Sequence, residues 1–201
     1  MFQKISAFIE GLDENTLDPA RKETLQPLIE YIHKHLSDKE INLNYICTHN
    51  SRRSQFGQVW GKVVAAFFGY SQIKTFSGGV EVTACNERTI KALETTGFAI
   101  ENPGGENPKY QVTYSENAPA IELFSKQFDN EVNPESDFAA IMTCSHADEN
   151  CPFIPGAQRI SVTYEDPKAF DDTPQESEAY LERSKQIATE MKYVFSQIKN
   201  A

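Results

Sequence analysis

The chain has 201 residues, of which 39% are hydrophobic and 24% charged, so we expect one soluble globular domain with an appendage. A formal net charge of −10 argues against nucleic acid or an anionic membrane surface as a partner, because both reward clustered lysine and arginine. No run of roughly 18 apolar residues could span a bilayer, and residues 1–10 do not resemble a signal peptide, which together predict a cytoplasmic protein with reduced cysteines.

Residues 1–40 predict an N-terminal helical extension. Asp18 is a suitable helix N-cap and Pro19 a suitable first helical residue. Pro27 lies inside the helical pattern that follows and could break or kink it. Apolar residues recur at helical spacing at Leu25, Leu28, Ile29, Ile32 and Leu36.

Residues 41–201 alternate between strand-like and helix-like segments. The predicted strands cover residues 41–46, 73–76 and 138–143, and the predicted helices cover residues 54–68, 86–96 and 176–198. This alternation favours an α/β fold with a mainly parallel sheet.

The alternation is interrupted at about residues 101–134, where Pro-Gly-Gly and Asn-Pro turn signals occur. Residues 110–114 and 121–124 could pair there as a hairpin. We interpret this stretch as an insertion rather than a second domain.

The nine residues 47–55, here called the Cys47 loop, lie between a predicted strand and a predicted helix. A strand-to-helix turn can form a nest of backbone N–H groups for an anion, and the helix adds its positive N-terminal end. Both effects stabilise a thiolate at Cys47. Arg53 can bind two oxygens of a tetrahedral oxyanion, and Ser54 can donate a hydrogen bond to the thiolate. In the alternative interpretation, Cys47 is a buried strand residue and Arg52 and Arg53 are solvated charges.

A second cluster, Cys144-Ser145-His146-Ala147-Asp148-Glu149-Asn150-Cys151-Pro152, follows the predicted strand 138–143. Its two cysteines are spaced too widely for an ordinary zinc knuckle, although His146 between them keeps a metal site as an alternative. Two unrelated buried thiols are another alternative. A polar segment that can rearrange suits a thiol–disulfide relay best.

The Cys47 loop, with a strand before it and a helix after it, resembles the active-site loop of the low-molecular-weight protein tyrosine phosphatase family. It also resembles that of the thioredoxin-coupled arsenate reductases, which share the fold. The resemblance covers about residues 41–199 and implies a four-stranded parallel sheet flanked by helices, with Cys47 as the nucleophile. The implied substrate-binding residues are Thr48, His49, Asn50, Ser51, Arg52, Arg53 and Ser54.

The segment from Cys144 to Pro152 resembles the redox segment of the arsenate reductases, which the phosphatases do not require. The resemblance therefore implies arsenate reduction, in which Cys47, Cys144 and Cys151 form a relay that passes a disulfide to thioredoxin. It implies no bound cofactor and no metal, and it places the general acid at Asp166. Lys168 and Ala169 follow where phosphatases often carry aromatic residues, which favours a small inorganic oxyanion.

Two positions of the Cys47 loop and one position in the predicted helix after it depart from the reductase pattern. His49 replaces a usual glycine, and histidine is among the more tolerant residues if that position needs a positive φ. Arg52 replaces a second loop cysteine found in many members. Gln58 replaces the glutamate of potassium-binding members, so we predict no potassium site. Cys85 matches nothing functional and is predicted to be a small packing residue.

Two other functions compete with arsenate reduction. The first is a phosphatase acting on phosphotyrosine or a small phosphoester, which would need Cys47, Arg53 and Asp166 but neither later cysteine. The second is a non-catalytic protein that binds an oxyanion or a partner, with residues 1–40 and the insertion as interaction surfaces.

Overall fold

The computed structural model describes residues 1–150 and 153–199. Within these residues the strands are β1 (Ile41–Cys47), β2 (Ile73–Gly79), β3 (Ala99–Glu101), β4 (Tyr110–Thr113), β5 (Ile121–Leu123), β6 (Phe138–Met142) and β7 (Ala157–Ser161). The α-helices are α1 (Gln3–Glu10), α2 (Pro19–Lys34), α3 (Arg53–Phe67), α4 (Glu87–Thr96), α5 (Ser145–Asn150) and α6 (Glu176–Lys199). Two short 3₁₀ helices cover Glu14–Thr16 and Pro167–Phe170.

A four-stranded parallel sheet in the order β2-β1-β6-β7 forms the centre of the fold. The α/β prediction is confirmed, and β1, β2 and β6 coincide with the three predicted strands. The fourth strand, β7, was not predicted, because only Ile160 in it is buried and the pattern is polar. Since all four strands are parallel, their carboxyl ends meet at one edge of the sheet, and Cys47 ends β1 at that edge.

Helix α2 begins as predicted, with the Asp18 side chain accepting a hydrogen bond from the Arg21 amide at 2.8 Å and Pro19 in the first turn. The helix continues through Pro27, whose ring is exposed to solvent, so the predicted break does not occur. Apolar residues of α1 and α2, among them Ile5 and Leu28, are fully buried in the same core as Trp60 of α3.

The stretch that interrupts the alternation contains a small antiparallel sheet in the order β3-β4-β5. The predicted hairpin is confirmed as β4 and β5, whereas the three-residue β3 was missed. After β5 the chain runs beside the carboxyl end of β2, where the Gly79 amide donates to the Lys126 carbonyl at 2.9 Å. This contact brings the segment against the Cys47 loop. No helix in the described ranges is long and apolar enough to cross a bilayer.

Candidate active site

Cys47 occupies the last position of β1 and is only 3% exposed. Its Sγ lies 3.1 Å from the Oγ of Ser54, in the first turn of α3. The Cys47 loop therefore brings the thiol at its start within hydrogen-bond distance of a hydroxyl near its end. A hydroxyl in this position can stabilise negative charge on the sulfur.

The loop takes its shape from Asn50, which has a positive φ of 46°. Asparagine tolerates this left-handed conformation better than most residues. The positive φ is therefore at Asn50 and not at His49. The Asn50 side chain donates from Nδ2 to Ser54 Oγ at 2.8 Å and accepts at Oδ1 from the Lys126 amide at 3.0 Å. Gln55 Nε2 donates to the Asn50 carbonyl at 2.7 Å, so the turn is held from three sides.

His49 ties the loop to two neighbouring segments. Its Nε2 lies 3.1 Å from Glu81 Oε2 at a partly exposed position. Its carbonyl accepts a hydrogen bond from Ser125 Oγ at 2.8 Å. These contacts position the outer side of the loop.

The backbone amides of residues 48–52 donate to no acceptor in the described part of the chain. They precede α3, whose N-terminal end adds positive potential. Gly79 packs against the back of the loop, where a Cβ would lie 2.7 Å from both the Asn50 amide nitrogen and the Thr48 oxygen. The arrangement can serve as an anion nest.

Arg53 has a largely buried side chain, 13% exposed. Its Nη1 donates to the Tyr164 carbonyl at 2.9 Å, and its Nη2 donates to Asp166 Oδ2 at 2.7 Å. Its Nε is buried and has no partner among the described residues. The structure thus brings Arg53 and Asp166 together and leaves the Nε–H of the guanidinium for another acceptor.

Asp166 also accepts at Oδ1 from the Lys168 amide at 3.1 Å and caps the 3₁₀ helix that follows. This turn borders a cavity of about 460 Å³ beside the Cys47 loop. The cavity is lined by His49, Ser51, Arg52, Thr83, Ala84, Cys85, Asn86, Glu87, Arg88 and Lys168.

Arg52 makes its contacts with the segment that follows Asp166. Its Nε donates to Tyr180 Oη at 2.6 Å and its Nη2 to Asp171 Oδ2 at 3.2 Å. Tyr180 in turn donates to Asp171 Oδ1 at 2.8 Å. Arg52 therefore links the loop to α6.

Ser51 and Cys85 lie where the loop meets the segment before α4. Ser51 Oγ donates to the Ala84 carbonyl at 2.7 Å, and the Ser51 carbonyl accepts from the Asn86 amide at 3.0 Å. Cys85, between these partners, is 2% exposed, and burial raises the pKa of its thiol to about 12. Such a thiol is a poor nucleophile, in keeping with a packing residue.

Cys144 follows β6 and lies beside the Cys47 loop. Its Sγ is 3.4 Å from Thr48 Oγ1 and accepts from the Ala147 amide at 3.3 Å. Cys47 and Cys144 belong to one small buried cluster, and Cys144 is 1% exposed. His146 Nδ1 lies 3.3 Å from the same Thr48 hydroxyl. Cys151 lies outside the described residues.

Comparison with known proteins gives relatives by sequence and by fold, although no family model matches the chain. Arsenate reductase 2 of Staphylococcus epidermidis is 30% identical over 111 residues, which cover 55% of this chain and 66% of that protein. The chain thus matches slightly less than two thirds of that relative's length.

Solved structures share the fold at low sequence identity. An arsenate reductase in the phosphate binding state has a TM-score of 0.51 and 18% identity, and the match covers 79% of this chain and 98% of that one. A mutant of the YwlE arginine phosphatase with a phosphorylated active-site serine also has a TM-score of 0.51, with 12% identity and coverage of 79% and 96%.

The chain is thus similar in sequence to arsenate reductases, and it shares its fold with a solved arsenate reductase and a solved arginine phosphatase. Solved proteins of this fold include both an arsenate reductase and a phosphatase, so the fold by itself does not select between these two reactions.

Gln58 lies close to a buried lysine. Ser77 Oγ donates to Gln58 Oε1 at 2.6 Å, and Lys126 Nζ lies 3.5 Å from the same serine oxygen. Lys126 is 3% exposed, and burial lowers its pKa to about 8. The amino group of Lys126 therefore shares Ser77 with Gln58, the residue that replaces the glutamate of potassium-binding members.

Sequence reasoning missed Tyr164 and Lys126 as parts of the site. Tyr164 contacts Arg53 through its main-chain carbonyl, which no residue type signals. Lys126 contacts Asn50 through its main-chain amide and lies in the predicted insertion, to which no individual site residue was assigned. A buried lysine cannot be distinguished from a solvated one by sequence pattern alone.

Proposed function

We propose that this protein reduces arsenate to arsenite by a relay of Cys47, Cys144 and Cys151. The observation that carries the proposal is the position of Cys144, whose buried Sγ lies 3.4 Å from the hydroxyl of Thr48, the residue after the nucleophile. Hydrolysis of a phosphoester requires no second thiol at this place. Similarity to the staphylococcal arsenate reductase supports the same reaction.

In the first step, the Cys47 thiolate attacks arsenic and a sulfur–arsenic bond replaces one arsenic–oxygen bond. The free loop amides and the unpartnered Nε of Arg53 hold the remaining oxygens. Asp166 gives a proton to the departing oxygen, which leaves as water or hydroxide. Arsenic is still pentavalent at this stage.

In the second step, the Cys144 thiolate attacks Cys47 Sγ. The electron pair of the sulfur–arsenic bond passes to arsenic, which leaves as trivalent arsenite, and a Cys47–Cys144 disulfide forms. The Cys151 thiolate then attacks Cys144 Sγ and releases the Cys47 thiolate. A dithiol reductant of the thioredoxin type reduces the Cys144–Cys151 disulfide, so two thiols supply the two electrons and no bound cofactor takes part.

The test is arsenate reduction with thioredoxin, thioredoxin reductase and NADPH. We expect Cys47→Ser, Cys144→Ser and Cys151→Ser each to abolish turnover, whereas Cys85→Ser, a matched control at a buried thiol, keeps it. Turnover by Cys151→Ser at the wild-type rate would overturn the relay.

A phosphatase acting on a small phosphoester is the second candidate. It is favoured by the contact of Asp166 Oδ2 with Arg53 Nη2 at 2.7 Å, which puts an acid beside the cation expected to hold the phosphoryl oxygens. The test is p-nitrophenyl phosphate hydrolysis by the Cys144→Ser/Cys151→Ser double variant. Hydrolysis by this variant, together with no arsenate reduction by the wild type, would make the phosphatase the better assignment.

A further inference from the structure

Arg21, in the first turn of α2, makes a bidentate ion pair with Glu190 of α6. Its Nε lies 2.8 Å from Glu190 Oε1 and its Nη2 lies 2.8 Å from Glu190 Oε2. The Glu190 side chain is fully buried, and Arg21 is 18% exposed. Arg21 Nη1 also donates to the Thr163 carbonyl at 3.1 Å. A paired fork of this kind fixes orientation as well as distance.

The ion pair holds the side chain of Tyr164. The Tyr164 hydroxyl donates to Glu190 Oε2 at 2.8 Å, and the Arg21 guanidinium carbon lies 4.7 Å from the centre of the Tyr164 ring. Burial, together with the Glu190 charge, raises the pKa of Tyr164 well above its ordinary value. The phenol therefore stays a neutral donor to Glu190 throughout the physiological range.

The main chain of Tyr164 faces the proposed oxyanion site. Its carbonyl accepts from Arg53 Nη1 at 2.9 Å, and its amide donates to the Thr143 carbonyl at 3.1 Å. Asp166, the other partner of Arg53, is only two residues further along the chain. Tyr164 is thus held by Arg21 and Glu190 at its ring and contacts Arg53 at its backbone.

The segment between β7 and Asp166 needs such an anchor. It has no regular secondary structure, and its main chain is joined to the end of β6 by two amides, those of Val162 and Tyr164. A small displacement of Tyr164 would therefore move both an acceptor and, through Asp166, the ion-pair partner of Arg53. Misplacement of an oxyanion-binding group by about 1 Å is enough to lose much of its effect.

We propose that Arg21 and Glu190 are positioning residues, which fix the Arg53 guanidinium and Asp166 through Tyr164. The proposal rests on the function proposed above, in which Arg53 binds the oxyanion. It gives the N-terminal helices a part in the reaction, since one residue of α2 orients the group that holds the substrate.

The test compares Arg21→Met with Lys34→Met, a matched control at an exposed position near the end of the same helix. We expect Arg21→Met to raise the KM for arsenate and to weaken inorganic phosphate binding by roughly tenfold, in line with couplings inside one hydrogen-bond network. Arg21→Lys should recover little of this loss, because lysine cannot form the bidentate pair. Lys34→Met should match the wild type.

Tyr164→Phe keeps the ring and removes only the hydroxyl, and it serves as the second variant should Arg21→Met not fold. We expect Tyr164→Phe to shift phosphate affinity in the same direction but by a smaller factor. Unchanged phosphate affinity and KM in a folded Arg21→Met, or in Tyr164→Phe where Arg21→Met does not fold, would overturn the proposal.

Phosphate binding by the wild type separates this proposal from the preceding one. It is measured as protection of Cys47 from alkylation by iodoacetate. A wild type that phosphate does not protect would refute the proposed oxyanion site itself. Equal protection of the wild type and the folded variants would refute only the positioning role.

Discussion

Arg53 and Asp166 form an ion pair, with Nη2 and Oδ2 2.7 Å apart. The proposed oxyanion-binding cation and the proposed general acid therefore contact each other directly. Under the proposed function, an incoming oxyanion would compete with the Asp166 carboxyl group for this guanidinium. Oxyanion binding and proton transfer would then be coupled through one side-chain contact.

This coupling predicts opposite effects of Asp166→Asn on binding and on turnover. We expect turnover to fall by about 10²-fold or more, because a general acid is lost. We expect phosphate to bind more tightly, because the competing negative charge is removed. Steady-state kinetics and a phosphate titration measure the two effects. Glu165→Gln, at the exposed neighbouring position, is the control, and weaker phosphate binding by Asp166→Asn would contradict the competition.

Cys47 is predicted to react rapidly with iodoacetate near neutral pH, since thiolate is the reactive form. Ser54→Ala removes the hydroxyl 3.1 Å from Sγ and should slow both alkylation and turnover by roughly tenfold. Mass spectrometry of the alkylated protein locates the modified cysteine. An unreactive Cys47 would favour the non-catalytic binding function.

Gly79→Ala should displace the Cys47 loop, because Gly79 packs directly against it. The added Cβ would lie 2.7 Å from the Asn50 amide nitrogen and 2.7 Å from the Thr48 carbonyl oxygen, so the loop has to shift. We expect a loss of about 1–3 kcal/mol in the free energy of unfolding. We also expect phosphate affinity to fall by a larger fraction of its wild-type value, because the displaced loop is the part that binds the oxyanion. Gly11→Ala, which meets only contacts of 3.4 Å or more, is the control for a neutral glycine substitution. Equal phosphate affinity in both variants would contradict the prediction.

Lys126 predicts a particular pH dependence of stability. Burial lowers its pKa from 10.5 to about 8. Below pH 8 the lysine is charged in both the folded and the unfolded chain, and folding bears the full cost of burying that charge. Between pH 8 and 10.5 the folded chain releases the proton while the unfolded chain keeps it, so the wild type gains stability relative to Lys126→Met as pH rises.

The expected change in that difference between pH 7 and pH 10 is roughly 2–3 kcal/mol. Urea unfolding of both proteins at the two pH values measures it, and the subtraction cancels groups common to both. Lys34→Met, at an exposed position, should show no such change. A constant difference between the wild type and Lys126→Met would contradict a buried charged lysine.

Local chemistry explains which parts of the fold were predictable. The Asp18 cap and the alternation of strand and helix are encoded in neighbouring residues, and both were predicted. Strand β7 was missed because an edge strand with a single buried residue has no periodic apolar signal. The three-residue β3 is too short to show any pattern.

The candidate site divides in the same way. The loop from Cys47 to Ser54 is continuous in sequence, so its residue types and spacing indicate an anion site. The contacts of Arg21 and Lys126 with their partners join segments far apart in the chain, and these contacts exist only after packing. A contact through a main-chain carbonyl, such as that of Tyr164, cannot be predicted from the residue type, because every residue has this group.

The exposures of Cys47 and Cys144, 3% and 1%, have a steric consequence for electron supply. A four-oxygen ion is small enough to enter a narrow opening, whereas a folded reductant meets only the rim. Size alone would then allow arsenate to reach the two buried thiols and prevent a thioredoxin-type reductant from reaching them. Under the proposed relay, a third thiol is therefore needed to carry electrons from the reductant to this buried pair.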